Sequence, residues 1–453
     1  MKLICDFVRE TRNYCEMKIE DKTPSLYESF PQVLDYNEAE RYVEKLEKFS
    51  LIEVGNSEYL QQHYMIEKLN VQAHQSAASN SEEYVLEALL TFNKIEVLIH
   101  NLIVIETWKE FVYPILLTDL AGRNNMRLYF ILYHEATIVN LLEVILYHKH
   151  VVYEMGEKLI ELIDYIARKL IRLNSGYDTF RSVQLTNSTT PTSSVISHPT
   201  STTEGLSAAA REMIAALETR TPADEIAQYY HSIEFRTCVS AVSIARFLTE
   251  HIDSMPLNAI SRITDTHDYL MLIIPLIENP PWTRRTSVGK WEKMVDYNWV
   301  EIQPINLLKL TKIEGQPWLS LYHLISKKVC SERYVFTSYR KGQLLRVRKY
   351  MNELLLDQLP VLADIQRFMD ELSMREAADQ PTHLSSTSNN SAFVLEQVAA
   401  LREGLVRGAD WAEIASVQLA SLFTMTDASD KDVRRMAELY GDDGAGQAEE
   451  GGN

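Results

Sequence analysis

An all-α chain is what this sequence predicts, and three observations carry the prediction. Breakers are scarce, with 15 glycines and 14 prolines in 453 residues, while Leu, Glu, Ala, Ile and Lys are plentiful. Apolar residues recur three and four positions apart in segment after segment, the spacing of one helix face. Almost nowhere does the chain alternate apolar and polar residues as half-buried strands do. The composition, 46% hydrophobic and 24% charged, is ordinary for a globular protein. A chain this long buries a large core without disulfide staples, and its length allows about three domains or one extended array.

Residues 1–30 read as an atypical N-terminal extension, and 31–173 as an N-terminal helical region. Asn37 is placed to cap a helix carrying Tyr42, Val43, Leu46 and Phe49 on one stripe. Ser57 is placed to cap the next, with Leu60, Tyr64, Ile66 and Leu69 as its apolar positions. Ser81-Glu82-Glu83 offers a third start, with carboxylates where they favour the helix dipole. Leu86 to Ile103 continues at helical spacing, Pro114 kinks or ends a helix, and 121–125 reads as a turn. His134 to Tyr147 is apolar nearly all round, as a helix buried among others is. Val151 to Leu173 forms the last helix, closed by Asn174-Ser175-Gly176.

Residues 174–206 read as a disordered linker. Its centre, Thr186 to Thr203, is rich in Ser and Thr and lacks the periodic apolar set that would offset ordering entropy. A central helical region spans 207–374. Thr221-Pro222-Ala223-Asp224-Glu225 combines a hydroxyl cap, proline at the first helical position and acids in the first turn, and its helix extends toward Asp253. Pro256, Pro275 and Pro280-Pro281 mark breaks. Arg284 to Ile302, with Trp291, Val295, Tyr297, Trp299 and Val300, departs from the pattern and reads as an irregular insertion or short hairpin. Helices return at Trp318–Lys328, Lys341–Leu356 and Pro360–Met374. A polar linker covers 375–391, C-terminal helices 392–440, and an acidic disordered tail 441–453. Helices joined by short turns suggest a right-handed stack of helical pairs of armadillo or HEAT type, with a period of about 40 residues. No crisp repeat marks the sequence, so a plain helical bundle stays open.

The charge balance, 45 basic against 63 acidic residues for a net −18, argues against a general nucleic-acid binder, which needs a concentrated basic surface. Four cysteines, Cys5, Cys15, Cys238 and Cys330, form no CxxC pair and suit a reducing compartment. The first residues make no secretory signal. The apolar stretches are too short or too interrupted to span a bilayer, which points to a cytosolic address. His134-Glu135 opens a zincin-like motif, but position 138 is Ile138 where the second ligand belongs. The two are better placed as a structural pair at the start of a buried helix. His148 and His150 read as helix-end histidines facing carbonyls or water. No phosphate cradle, nucleophile elbow or activated cysteine is present, so no catalytic, cofactor-binding or metal-binding residue is assigned.

One basic cluster stands out: Arg333, Arg340, Lys341, Arg346, Arg348 and Lys349. Leu344, Val347, Met351 and Leu354 run through the same segment as an apolar stripe, and Arg346 and Lys349 lie together off it. Arg340, Lys341, Arg346, Arg348 and Lys349 are the candidate partner-binding residues, against the plainer reading of a solvated face. Reversing Arg340, Lys341, Arg346 and Lys349 together is then expected to weaken partner capture and leave helicity intact. Trp108, Trp318 and Trp411 read as core anchors, and Trp282, between Pro280-Pro281 and Arg284-Arg285, as the exposed exception.

Three tracts carry a family resemblance: Tyr133-His134-Glu135-Ala136-Thr137-Ile138-Val139-Asn140-Leu141-Leu142-Glu143, then Leu355-Leu356-Asp357-Gln358-Leu359-Pro360, and Gln61-Gln62-His63 through Glu67-Lys68-Leu69-Asn70. Ser261-Arg262, Thr337 to Gly342, Leu344-Leu345 and Gln316 to Leu324 add to them. Together, over about Pro31 to Tyr440, the chain resembles the zinc finger MYND domain-containing protein 10 family of axonemal dynein assembly factors. The resemblance implies an armadillo/HEAT-like helical solenoid and a non-enzymatic scaffold or co-chaperone that helps preassemble inner and outer dynein arms for motile cilia. Implied partners are a leucine-rich-repeat, CS-domain assembly factor, Hsp90-class chaperones, an FKBP-type prolyl isomerase, and axonemal dynein chains as clients. The implied address is the cytoplasm of ciliated cells, including centriolar satellites, the centrosome, dynein assembly particles and the apical region. The family's zinc belongs to a C-terminal cysteine-rich finger. The present sequence, ending in Gly441-Asp442-Asp443-Gly444 and an acidic stretch, is expected to lack that finger and to hold no cofactor. On composition and periodicity alone, a generic helical-repeat adaptor in trafficking or transcriptional regulation is the alternative.

Overall fold

A computed structural model describes residues 33–120, 126–175, 222–286, 289–375, 398–423 and 430–436. The sequence expectations for 1–30, the turn at 121–125, the Ser/Thr-rich linker, the helix restart near Ser207, the Gly176 and Thr221 caps, the polar linker beyond Arg375 and the tail lie outside them.

The first half is helical throughout. Helix α1 (Tyr36–Glu44) starts at Asp35, whose Oδ1 accepts the Glu38 N–H at 2.7 Å, so Asn37 falls inside the first turn. Helix α2 (Ser57–Ser79) is capped by Asn56, one residue before Ser57, through the Tyr59 N–H at 2.7 Å. The start expected at Ser81 is an ending: the Ser81 N–H closes α2 on the Ser76 carbonyl at 3.0 Å, and α3 (Tyr84–Thr91) begins without a side-chain cap. Helices α4 (Ile95–Phe111) and α5 (Tyr113–Asp119) meet just before Pro114, which sits in the first turn of α5 where its missing N–H does no harm. Helix α6 (Met126–Leu146) begins well before His134. The long helix expected from Val151 is two, α7 (Lys149–Met155) and α8 (Leu159–Ser175), because Gly156 turns the chain at φ +50°.

Helix α9 (Pro222–Glu250) is the axis of the second half. Helix α10 (Leu257–Ser261) runs into one π turn at Arg262–Thr266, where Arg262 reaches Asp164 of α8 at 2.5 Å. Pro275 does not break the chain but lies inside α11 (Tyr269–Glu278). The helix survives the lost hydrogen bond because Ile273, Ile274, Leu276 and Ile277 around it are buried.

Arg284 to Ile302 is neither irregular nor a lone hairpin. Strands β1 (Thr283–Arg285), β2 (Trp291–Val295) and β3 (Asn298–Ile302) form an antiparallel sheet in the order β1-β2-β3. Asp296 and Tyr297, both at positive φ, make the tight turn between β2 and β3. Trp282, expected on the surface, is 1% exposed. Its arginine neighbour does not pull it into water, because Arg284 turns back to Glu292 at 2.7 Å and covers the Trp299 ring at 4.0 Å.

Helix α12 (Lys312–Ser326) starts at a Thr311/Glu314 capping box, ahead of Trp318, and is followed by α13 (Lys328–Ser331). The single helix expected over Lys341–Leu356 is α14 (Ser338–Val347) and α15 (Glu353–Gln358), parted where Asn352 caps the Leu355 N–H. Then come α16 (Leu362–Met374), α17 (Leu401–Val406), α18 (Trp411–Leu422) and a turn of helix over 431–436.

The described residues are thus all-α apart from the small sheet. Helix α9 packs on α6, α8 and α12, and α6 also packs on α2 and α4. Helix α6 is long and apolar enough to cross a membrane by composition, but most of it is buried inside the fold. The last helices do not extend the stack. Helices α17 and α18 return to α4 and α5, whereas in a simple row of repeats each unit touches only its neighbours.

Candidate functional site

The centre of the fold holds charge where apolar residues are expected. Tyr165, Arg168, Lys169 and Arg172 share one face of α8, and Tyr230, Glu234 and Cys238 share one face of α9. Helix α4 brings Glu106 and Lys109, and α6 brings Glu135. Lys109 contacts Glu135 at 2.6 Å and Glu234 at 3.1 Å, and Lys169 contacts the same two carboxylates at 2.7 and 2.8 Å. Two cations and two anions therefore alternate around a closed square with all four side chains buried. Tyr165 donates its hydroxyl to Glu135 at 2.7 Å, Arg172 reaches Glu234 at 3.2 Å, and Arg168 holds Glu106 at 2.5 Å.

Burial pushes the two lysines down, but Glu135 and Glu234 outweigh it and hold both above the ordinary lysine value. Burial likewise pushes Glu135 and Glu234 up, and the lysines reverse it, leaving both below the usual carboxylate range. The Cys238 thiol is driven up by burial and then by Glu234. Each charge is locked by two opposite ones, so the square holds four helices together and offers no group poised to exchange a proton near neutral pH. A cavity of about 320 Å³ opens beside it, lined by groups of both signs including Arg172, Tyr230, Glu110 and Arg402.

A second polar seam joins α2 to α6. His63 and His134 face each other through Nδ1 at 3.0 Å, and Asn140 donates to Asn70 at 3.1 Å. His134 and Glu135 are therefore not a pair at a helix start. They sit midway along α6, where one reaches α2 and the other the lysines, because adjacent helix positions point in different directions. His148 contacts Glu83 at 2.7 Å and not a carbonyl.

The basic cluster is spread over intramolecular contacts. Arg333 contacts Asp265 at 3.1 Å, Arg340 contacts Asp268 at 2.8 Å, Arg346 contacts Glu278 at 2.6 Å and Arg348 contacts Asp370 at 2.5 Å. Lys341 donates to the carbonyls of Ser373 and Arg375, and Lys349 lies 4.6 Å from the centre of the Tyr350 ring. Of the expected apolar stripe, Leu344 and Val347 are buried, while Leu354 is exposed. Sequence reasoning missed Lys109, Lys169 and Glu234. The available signal was a charge set within an apolar run, as Lys169 is between Ile166 and Leu170.

Over 371 residues the chain is 28% identical to the zinc finger MYND domain-containing protein 10 homolog of Drosophila melanogaster, covering 81% of this chain and 72% of that protein. That similarity supports the family resemblance carried by the three sequence tracts. No family model matches it, and no solved structure matches it. The fold gives the family tracts a physical sense. The tracts at 61–70 and 133–143 are the two sides of the His63–His134 and Asn70–Asn140 seam. The tract at 355–360 carries Gln358, which accepts the Leu310 N–H at 2.8 Å and donates to the Leu308 carbonyl at 3.1 Å, fixing the loop before α12.

The family name carries a zinc finger, and the described residues do not fit one. Among them, no three His, Cys, Asp or Glu side chains are placed to hold a metal ion. Cys238 and Cys330 are buried free thiols on α9 and α13, each pushed up by burial, Cys330 to about 12. Zinc needs thiolates gathered around one point.

Proposed function

We propose that this chain is a non-enzymatic scaffold that helps axonemal dynein arms preassemble in the cytoplasm before they enter motile cilia. The observation that carries the reading is the similarity, over 81% of the chain, to a zinc finger MYND domain-containing protein 10 homolog. The geometry is in keeping with it. The most concentrated set of ionisable groups among the described residues is a closed ion square, an arrangement suited to holding helices and not to acid–base chemistry.

In this reading the helical body holds partly folded dynein chains for Hsp90-class chaperones and an FKBP-type prolyl isomerase, alongside a leucine-rich-repeat, CS-domain assembly factor. The exposed parts of Arg346, Arg348 and Lys349 would contribute to the surface that partners meet, and centriolar satellites and dynein assembly particles are its expected address. The test is affinity purification of the tagged chain from ciliated cells, with partners identified by mass spectrometry. Recovery of dynein arm chains together with the chaperones supports the reading. Recovery of none of them by a chain shown to be folded overturns it.

A further inference from the structure

The small sheet ends in a strand whose outer backbone is unpaired. Strand β3 faces β2 with Asn298 opposite Val295, Val300 opposite Lys293 and Ile302 opposite Trp291. The two-residue turn at Asp296 and Tyr297 makes Val295–Asn298 a hydrogen-bonded pair, and every second pair after it bonds in the same way. The Met294 N–H fits that phase, because it is spent on the Trp282 carbonyl at 2.9 Å, on the side away from β3. Trp299 and Glu301 therefore turn their N–H and C=O groups outward. Neither residue's backbone takes a hydrogen bond there among the described residues.

Sheets usually blunt such an edge with lysine, proline or a bulge. Strand β3 contains no lysine or proline, and its register with β2 is unbroken from Asn298 to Ile302. Its one charge, Glu301, is answered by Lys290 at 2.8 Å. Between the two outward residues lies Val300, an apolar side chain left 41% exposed.

The residues of β3 suit a second β3 in one antiparallel register. Centred on Val300, that register sets Trp299 opposite Glu301 of the second copy, and Glu301 opposite its Trp299. Each outward N–H then meets an outward carbonyl. The two Val300 side chains become a closely spaced, non-hydrogen-bonded pair, with Cα atoms about 4.5 Å apart, and Ile302 of each copy lies diagonally beside them on the same face. The neighbouring registers fail. Centring on Glu301 puts two carboxylates directly opposite each other, which is unfavourable. Centring on Trp299 puts Glu301 opposite Tyr297, whose φ of +60° is not extended backbone.

We propose that β3 is a self-association edge, at which two copies of this chain pair antiparallel about a two-fold axis at Val300 and join their sheets into one. The pairing is isologous, so it closes at a dimer. Its area is small, which makes the dimer weak and dependent on concentration.

Sedimentation velocity of the full chain over a range of concentrations reads the association, and a Val300→Cys chain under mild oxidation traps it. The expected result is a monomer–dimer equilibrium. The Val300→Cys chain should give a disulfide dimer whose cross-linked peptide joins residue 300 to residue 300, beyond what the wild-type cysteines give, and a Glu301→Cys chain should give less. Glu301→Pro removes an N–H that the fold does not use, at an edge position that accepts proline. It should weaken association about tenfold or more with the circular dichroism spectrum unchanged, while Glu301→Gln, which keeps the N–H, still associates. Should Glu301→Pro fail to fold, Val300→Lys takes its place by setting two lysines together at the axis.

A wild type that stays monomeric at every concentration, with Val300→Cys cross-linking no more than wild type, overturns the proposal. So does a dimer undiminished in both Glu301→Pro and Val300→Lys, which places the association elsewhere. Stronger cross-linking at 301 than at 300 overturns the register. A monomeric wild type that captures a protein from ciliated cells through this edge, and loses it in Glu301→Pro, would assign β3 to a foreign strand and overturn self-pairing.

Discussion

His63 on α2 and His134 on α6 meet through their Nδ1 atoms at 3.0 Å, both rings fully buried. One nitrogen must donate and the other accept, so the two rings hold opposite tautomers and both are neutral. Burial drives His63 down to about 3 and, together with the neighbouring His63 ring, drives His134 well below its ordinary value. An unfolded histidine titrates near about 6.5. Below that pH the unfolded chain binds protons that the folded rings refuse, so their contribution to stability is whole above about pH 6.5 and declines as pH falls toward 3. The slope is about 1.4 kcal/mol per pH unit for each ring. Urea denaturation between about pH 7 and pH 5 should show a His63→Leu/His134→Leu variant losing stability less steeply than the wild type. Parallel curves would remove the pair from the pH response.

The ion square predicts strong non-additivity. Glu135→Leu leaves the buried Lys109 and Lys169 sharing Glu234, and should cost about 3–5 kcal/mol. Adding Lys169→Met restores equal charge and should recover much of that loss. Urea midpoints for the two single variants and the double variant form a cycle, with a coupling of roughly 2 kcal/mol or more expected. Additive losses would mean that the four groups do not act as a unit.

Trp282 lies under the sheet, and its indole N–H has no hydrogen-bond partner among the described residues. Its value is volume and not polarity. Trp282→Ala should therefore cost about 3–5 kcal/mol, while Trp282→Phe, which loses no hydrogen bond, should cost less than about 1.5 kcal/mol. Thermal unfolding of the two variants separates these outcomes. An exposed tryptophan would show neither loss.

The same residue shows where sequence reading stops. Helices were legible from the spacing of Leu159 to Leu173, because one buried face imposes its period on the chain, whereas the continuous spacing from Leu86 to Ile103 hid the break between α3 and α4. Cap positions slipped by a residue or two where neighbouring side chains could serve equally, as Asp35 and Asn37 could, since only backbone geometry chooses between them. Trp282 was misplaced because local context, two prolines and two arginines, says nothing of the long-range contact from Arg284 to Trp299. The square was invisible for a related reason. Lys109, Glu135, Lys169 and Glu234 sit on four helices, and a charge in an apolar run declares its partner only after the helices pack. The basic segment was legible as charge, but not its commitment to Asp268, Glu278 and Asp370, which lie far off in sequence.

That commitment changes what charge reversal tests. Arg346→Glu would set two carboxylates together, because the Glu278 side chain is only 7% exposed and Arg346 is its ion-pair partner. A loss of roughly 1–2 kcal/mol is expected, the exposure of Arg346 keeping it small. Lys349 faces no carboxylate within ion-pair distance among the described residues, and Lys349→Glu should stay within about 0.5 kcal/mol of wild type. Chemical denaturation of each, run beside partner capture, separates the effects. Capture lost in Lys349→Glu at unchanged stability would mark a contact surface. Capture lost only in Arg346→Glu would mark a folding defect.

Gly55 predicts how the C-terminal arm, helix α18 with the helical turn over 431–436, depends on the body's backbone. It sits at φ +90°, and a Cβ there would lie 2.5 Å from Ile131 Cδ1 and 3.3 Å from Leu422 Cδ1 of the arm. Its carbonyl also accepts from Arg127, the residue that holds Asp430. Gly55→Ala therefore combines an unfavourable backbone with a clash at the point where body and arm meet, at about 1–3 kcal/mol. The strain can be relieved by moving Ile131 in the core or by lifting Leu422 away. The arm has less of its surface buried, so lifting Leu422 is the cheaper response. Hydrogen exchange should accordingly rise over 411–422 and 431–436 in this variant while α9 stays protected. Exchange rising evenly across both would show that arm and body open as one unit.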